Sequence, residues 1–182
     1  MKKSLFSHLL LFSATIYMLS PSQILAQEWQ TPYIEGYGEI KYFEDAAEQP
    51  DPTLEYKLLF DITSDQQKSG VNKRLWVIAR TMNMLYVAGV PKEQIKIVAA
   101  FHGSATFDVV TEEAYQKKFG KSNPNLDLIK KLQKEGVLLY VCSQATAARG
   151  VANEDVVPEV IPALSALSVL SNYQIRGYAL MP

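Results

Sequence analysis

Cysteine and histidine are scarce in this chain of 182 residues, which holds one Cys, Cys142, and two His, His8 and His102. A single thiol excludes an internal disulfide and heme attachment through paired cysteines, and so small a His/Cys inventory excludes a zinc cluster of those ligands. No block of like charges occurs, and 18 basic residues against 19 acidic leave a formal charge of −1. An electrostatic footprint for nucleic acid or anionic lipid is therefore missing. No Gly-x-Ser-x-Gly elbow, Walker loop or His-Glu-x-x-His occurs. Gly36-Tyr37-Gly38 lacks the third glycine of a dinucleotide fingerprint. What is there is the make-up of a folded domain, 48% hydrophobic and 20% charged, long enough to bury a core without disulfide staples.

Lys2 and Lys3 precede an apolar stretch from Leu5 to Leu19, then Ser20-Pro21-Ser22 and Ala26. The stretch falls short of the ~20 apolar residues that span a bilayer. Residues 1–26 read as a secretory signal peptide cleaved after Ala26, which predicts a periplasmic or secreted protein with no stable membrane insertion once the signal is removed. Beyond it, His102 and Cys142 are the sole His and Cys. Residues 27–53, with Pro32, Pro50 and Pro52, read as an extended arm carrying at most one edge strand, and residues 54–182 as one α/β domain.

In that domain Lys57–Ile62 has strand length and an apolar face. Leu75, Ile78, Ala79, Met82, Leu85 and Tyr86 recur at helical spacing behind an Asn72 cap, and Gly89 and Pro91 end that helix. Asn83 lies off this face and reads as solvated or capping a loop. Ile95–Gly103 is apolar almost throughout, as a strand buried on both faces is. Thr111–Phe119 predicts a short helix stopped by Gly120. The next helix takes Asn123 as cap and Pro124 at its first position, with Leu128, Ile129 and Leu132 inward and Gly136 as stop. Val137–Cys142 predicts a strand, Ser143–Arg149 a helical turn closed by Gly150, Glu159–Asn172 a helix with Val160, Leu164, Leu167 and Leu170 near one face, and Ile175–Met181 a last strand. Tyr115, Tyr173 and Tyr178 read as packing residues. Strands alternating with helices predict a three-layer α/β fold with a mainly parallel sheet.

In such sheets reactive groups collect at the carboxyl ends of the strands. Asp61, His102 and Cys142 each fall at or near such an end. A thiol between a strand and a helical turn receives backbone N–H groups, which favour the thiolate. Arg149, seven residues on, is expected to lower the thiol further, and His102 to accept or donate its proton. The competing reading of Cys142 is a small buried apolar side chain.

The segments Ala-Phe-His102-Gly103-Ser-Ala, Asn123-Pro124-Asn125-Leu126, Val141-Cys142-Ser143-Gln144, Arg149-Gly150 and Gln174-Ile-Arg-Gly177-Tyr178 resemble the DsrE/DsrF-like sulfur-relay family over residues 54–182. The resemblance implies a flavodoxin-like sheet, a homo-oligomer (trimer or hexamer) and Cys142 as sulfur carrier. Together with the strand-end reading, the expected site comprises Cys142, His102 and Arg149 for the chemistry and Asp61, Gly103, Ser143 and Gln144 for ligand contact, with no metal or cofactor. The chain then takes a persulfide on one cysteine and passes sulfane sulfur to an acceptor thiol, as a sulfurtransferase or sulfur carrier with a donor or acceptor protein as partner. A non-catalytic oligomeric binding module and a thiol redox sensor are the alternatives.

Overall fold

A computed structural model describes residues 28–182. The expected signal peptide lies outside the described residues. Strand β1 (Tyr56–Ile62) leads into a small antiparallel pair, β2 (Gln67–Lys68) and β3 (Val71–Asn72), closed by Ser69 and Gly70, both at positive φ as a tight two-residue hairpin requires. Helix α1 (Lys73–Val87) starts there because the Asn72 side chain accepts from the N–H groups of Arg74 and Leu75. Then follow β4 (Ile95–Phe101), α2 (Glu112–Phe119), α3 (Leu126–Lys134), β5 (Leu138–Cys142), α4 (Ser143–Ala148), β6 (Val160–Ala163), α5 (Ala166–Ile175) and β7 (Ala179–Met181).

The sheet runs in the order β6-β5-β4-β1-β7 with every neighbouring pair parallel, giving a three-layer, flavodoxin-like α/β fold. The chain steps outward from β1 through β4 and β5 to β6, then returns past β1 to form β7. Right-handed crossovers put the helices of outward steps on one face and the helix of the return on the other. Accordingly α1 and α3 share a face, where Leu75, Ile78, Met82, Leu128, Ile129 and Leu132 cover Phe60, Phe101 and Val141. The opposite face has Leu59, Val98, Ala100 and Cys142 beneath Ala166 and Val169 of α5.

Several expectations change. Glu159–Asn172 is not one helix: Val160–Ala163 is the edge strand β6 and α5 begins at Ala166. Pro162 has no N–H for a helical bond, whereas an edge strand tolerates it. Leu164 and Leu167, read as near one face of that helix, are 75% and 77% exposed. The last strand is shortened to Ala179–Met181 because α5 runs on to Ile175. Asn83, read as solvated or capping a loop, is 0% exposed and takes the second role. Residues 28–53 hold one isolated bridge, Gln30 to Ile40, and lie against α1. Asn83 Oδ1 accepts from the N–H groups of Tyr33 and Ile34, both at 2.8 Å, and its Nδ2 donates to the carbonyls of Tyr37 and Gly38 at 2.8 and 3.0 Å. Tyr86 also leaves the predicted apolar face and is exposed, and Asn125 rather than Asn123 sits at the start of α3.

Candidate functional site

Cys142 is the last residue of β5 and the N-cap of α4. Its register partner on β6 is Ala163, which brings the following residues, Leu164 and Ser165, to the sulfur. The Cys142 thiol donates to Ser165 Oγ at 3.9 Å, and Gln144 Nε2 ties the two loops by donating to the Leu164 carbonyl at 3.3 Å. Ser165 is itself the N-cap of α5. Two helix starts therefore converge on one sulfur. Burial pushes the thiol pKa up, the residue being 6% exposed, but the backbone N–H groups of Ala166, Ala145 and Gln144 and the Ser165 hydroxyl together hold it below the ordinary thiol value.

His102 follows the last residue of β4 in extended conformation, and its N–H donates to the Ile62 carbonyl at 3.0 Å, so the ladder with β1 persists to this point. Phe101 stands opposite Val141. One residue further, His102 and Cys142 occupy neighbouring ends of β4 and β5, with strands roughly 5 Å apart. Side chains alternate along a strand, and Leu59, Ala100 and Cys142 all lie in the α5-side cluster. Asp61 and His102, two residues beyond Leu59 and Ala100, therefore share that face with Cys142. His102 Nε2 is 2.7 Å from Asp61 Oδ1, with both side chains about one-third exposed. Their ring-to-carboxylate contact and the thiol-to-Ser165 contact are separate hydrogen bonds. Gly103 takes φ +59, and a Cβ there would overlap the Thr63 carbonyl, so the close backbone approach expected at this glycine is made to β1's own loop.

Arg149 lies elsewhere. It follows α4, about 10 Å along the chain axis from Cys142 at helical rise, where Nη1 donates to the Ala145 carbonyl at 3.4 Å. There it lines a cavity of 410 Å³ with Phe107, Glu113, Lys117 and Asp155. The groups that lower the thiol are backbone N–H groups and a hydroxyl rather than this guanidinium. The Ser143 carbonyl accepts from Thr146 Oγ1 at 3.0 Å inside α4. Among the described residues no group of three His, Cys, Asp or Glu side chains is placed to hold a metal ion, and no helix is long and apolar enough to cross a membrane.

Sequence reasoning missed Ser165, whose capping signal was hidden inside the expected Glu159–Asn172 helix. It also missed a buried polar knot at the carboxyl end of the sheet. Asp108, 3% exposed, accepts from Asn72 Nδ2 at 2.7 Å and Asn125 Nδ2 at 3.1 Å, while Asn123 Nδ2 donates to the Asp108 and Val110 carbonyls. Burial, with a smaller contribution from the Asp65 charge, pushes the Asp108 carboxyl up to about 6 against the two amide donors. Asn72 thus serves both as the α1 cap and as a donor to this knot.

Residues 57–182 match the family model described as DsrE/DsrF-like. A solved structure of a protein of unknown function, MTH1491 from Methanobacterium thermoautotrophicum, is similar at 18% identity and a TM-score of 0.53, over 69% of this chain and 97% of that one. The ychN protein from E. coli overlaps at 15% identity and a TM-score of 0.45, over 69% of this chain and 96% of its own. At these identities the likeness to MTH1491 speaks for the fold. No curated protein matches the chain.

Proposed function

Because this chain belongs to the DsrE/DsrF-like family, we propose that it is an exported sulfur-handling protein that carries a persulfide on Cys142 and hands sulfane sulfur to an acceptor thiol. The observation that carries this reading is the sulfur's setting: a thiol at a strand end, between two helix starts, held below its ordinary pKa by neutral N–H and O–H donors. Such donors stabilise a thiolate without neutralising it, so the sulfur keeps its nucleophilicity. In the forward step the Cys142 thiolate attacks the outer sulfur of a donor persulfide, R–S–SH. A bond forms between Cys142 Sγ and that sulfur, the donor S–S bond breaks, and the leaving thiolate takes up a proton as R–SH. Delivery is the reverse attack by an acceptor thiolate on the outer sulfur of the Cys142 persulfide. No external oxidant or reductant enters either step.

Export rests on residues 1–26 and their basic, apolar and small-residue order. Self-assembly is part of the same proposal: Leu164 and Leu167 at the start of α5 and Ile175 at its end stand exposed, and a second copy would cover them. Incubation with polysulfide or thiosulfate followed by intact mass measurement tests the chemistry. A reducible gain of about 32 Da in the wild type and none in Cys142→Ser is the expected result. An unmodified wild type with a thiol inert to alkylation while folded would return Cys142 to the core.

A further inference from the structure

Asp61 entered the sequence reading as a ligand contact, yet its carboxylate is engaged by His102 at 2.7 Å. A ring nitrogen that meets a carboxylate does so as N–H, which selects the Nε2–H form of the neutral imidazole and leaves Nδ1 unprotonated. Among the described residues Nδ1 has no hydrogen-bond partner. Asp61 on β1, His102 directly after β4 and Cys142 at the end of β5 belong to three adjacent strands and, by the alternation of side chains from Leu59 and Ala100, share the face of Cys142. His102 is the middle member, with Asp61 on one side and the thiol strand on the other.

Building on the sulfur-carrier reading, the geometry points to Asp61 as the positioning residue of the thiol site, holding His102 in the tautomer whose free Nδ1 takes the Cys142 proton. The proton leaves Sγ for Nδ1, Asp61 stabilises the resulting imidazolium, and after the donor S–S bond breaks the same proton passes to the departing thiolate. Asp61 touches no reacting atom and acts through the ring.

The test uses the full chain, ¹⁵N-labelled at histidine, with the His8 signal identified as the one that survives His102→Gln. Wild-type His102 is expected in the Nε2–H form, Asp61→Ala in a mixture of tautomers, and Asp61→Asn, whose amide oxygen still accepts from Nε2, in the wild-type form. Alkylation of Cys142 by iodoacetamide across pH gives the second readout. On the acid side of the profile the rate is expected to fall about tenfold in His102→Gln and Asp61→Ala, and to stay within about threefold of wild type in Asp61→Asn. A His102 ring in the Nδ1–H form, or profiles that coincide in all four proteins, overturns the proposal. The mass experiment above separates the two readings. A persulfide formed on Cys142 with coincident alkylation profiles removes the dyad alone, whereas shifted profiles without a persulfide remove the carrier reading alone.

Discussion

The two faces of the sheet are built to different standards. On one, α1 and α3 bury long aliphatic and aromatic side chains against Phe60, Phe101 and Val141, and the 28–53 segment is laid over α1 from outside. On the other, α5 lies across β1, β4 and β5 above small residues, Ala100, Cys142 and Ala145 among them, and presents leucines to solvent. The handedness of crossovers accounts for the imbalance, since α1 and α3 of the outward steps pack on the first face and the single return supplies α5 on the second. The thinly covered face is where the thiol, the imidazole and the carboxylate lie. On the proposed carrier reading the thiol needs approach by a donor and an acceptor, and a face sealed on the first pattern would deny it.

If the faces are independent, the sealed one can be damaged with the thiol untouched. Asn83→Ala removes four hydrogen bonds and leaves the Tyr33 and Ile34 N–H groups without acceptors. A loss of about 3 kcal/mol is expected in denaturant unfolding, with residues 28–53 becoming the first site of proteolysis. The rate of Cys142 alkylation in the folded protein should not change. A faster rate in this variant would mean that the faces communicate.

Asp108 belongs to the ring of loops at the carboxyl end and separates the faces by pH. Its folded pKa lies above the unfolded value, so the stability it contributes is fully present below about pH 4 and is lost as pH rises through about 6, a total of about 3 kcal/mol for a shift of about two units. Relative to Asp108→Asn, the wild type should gain about 1.4 kcal/mol on going from about pH 7.5 to about pH 5. Denaturant unfolding of both proteins at the two pH values measures it. Equal pH dependence in the two would mean that water reaches this carboxylate.

Most of the sealed face was readable in the sequence because its signals are local. Leu75 to Leu85 repeat at helical spacing, Asn72 caps the helix it precedes, and Gly120 stops α2 at φ +68. The rim was readable too, since strand ends mark where reactive residues collect and Asp61, His102 and Cys142 fall at such ends. What stayed hidden depends on partners distant in sequence. Asn83 is satisfied by backbone groups some 45 to 50 residues away, and a polar residue off an apolar stripe looks solvated until that cover is known. The thiol's donors come from α4 and from Ser165 and Ala166, more than twenty positions on. An apolar stripe such as Leu164, Leu167 and Leu170 records that water is to be avoided without recording what covers it, so the 3.6-residue pattern marks a helix face but not whether the same chain covers it.

A smaller perturbation acts on the open face itself. Ser165 Oγ caps α5 by accepting from the Leu167 N–H at 3.2 Å and lies 3.9 Å from Cys142 Sγ. Ser165→Ala should cost about 1 kcal/mol for the lost cap. It should also move the midpoint of Cys142 alkylation to higher pH, because burial still opposes the thiolate while one of its donors is gone. An unmoved midpoint would leave the three backbone N–H groups to account for the lowered thiol by themselves.

The least effect on the fold is expected where the open face is most apolar. Leu167 is mostly exposed in the single chain, so Leu167→Asp should change unfolding stability of that chain by less than about 0.5 kcal/mol. Its effect on assembly is expected to be large, since a carboxylate placed against a matching apolar ridge must be desolvated without a partner. Sedimentation should show the wild type as a homo-oligomer and the variant as single chains. A wild type that already sediments as one chain would make the exposed ridge a property of the monomer. The thin cover of this face would then serve access to Cys142 alone.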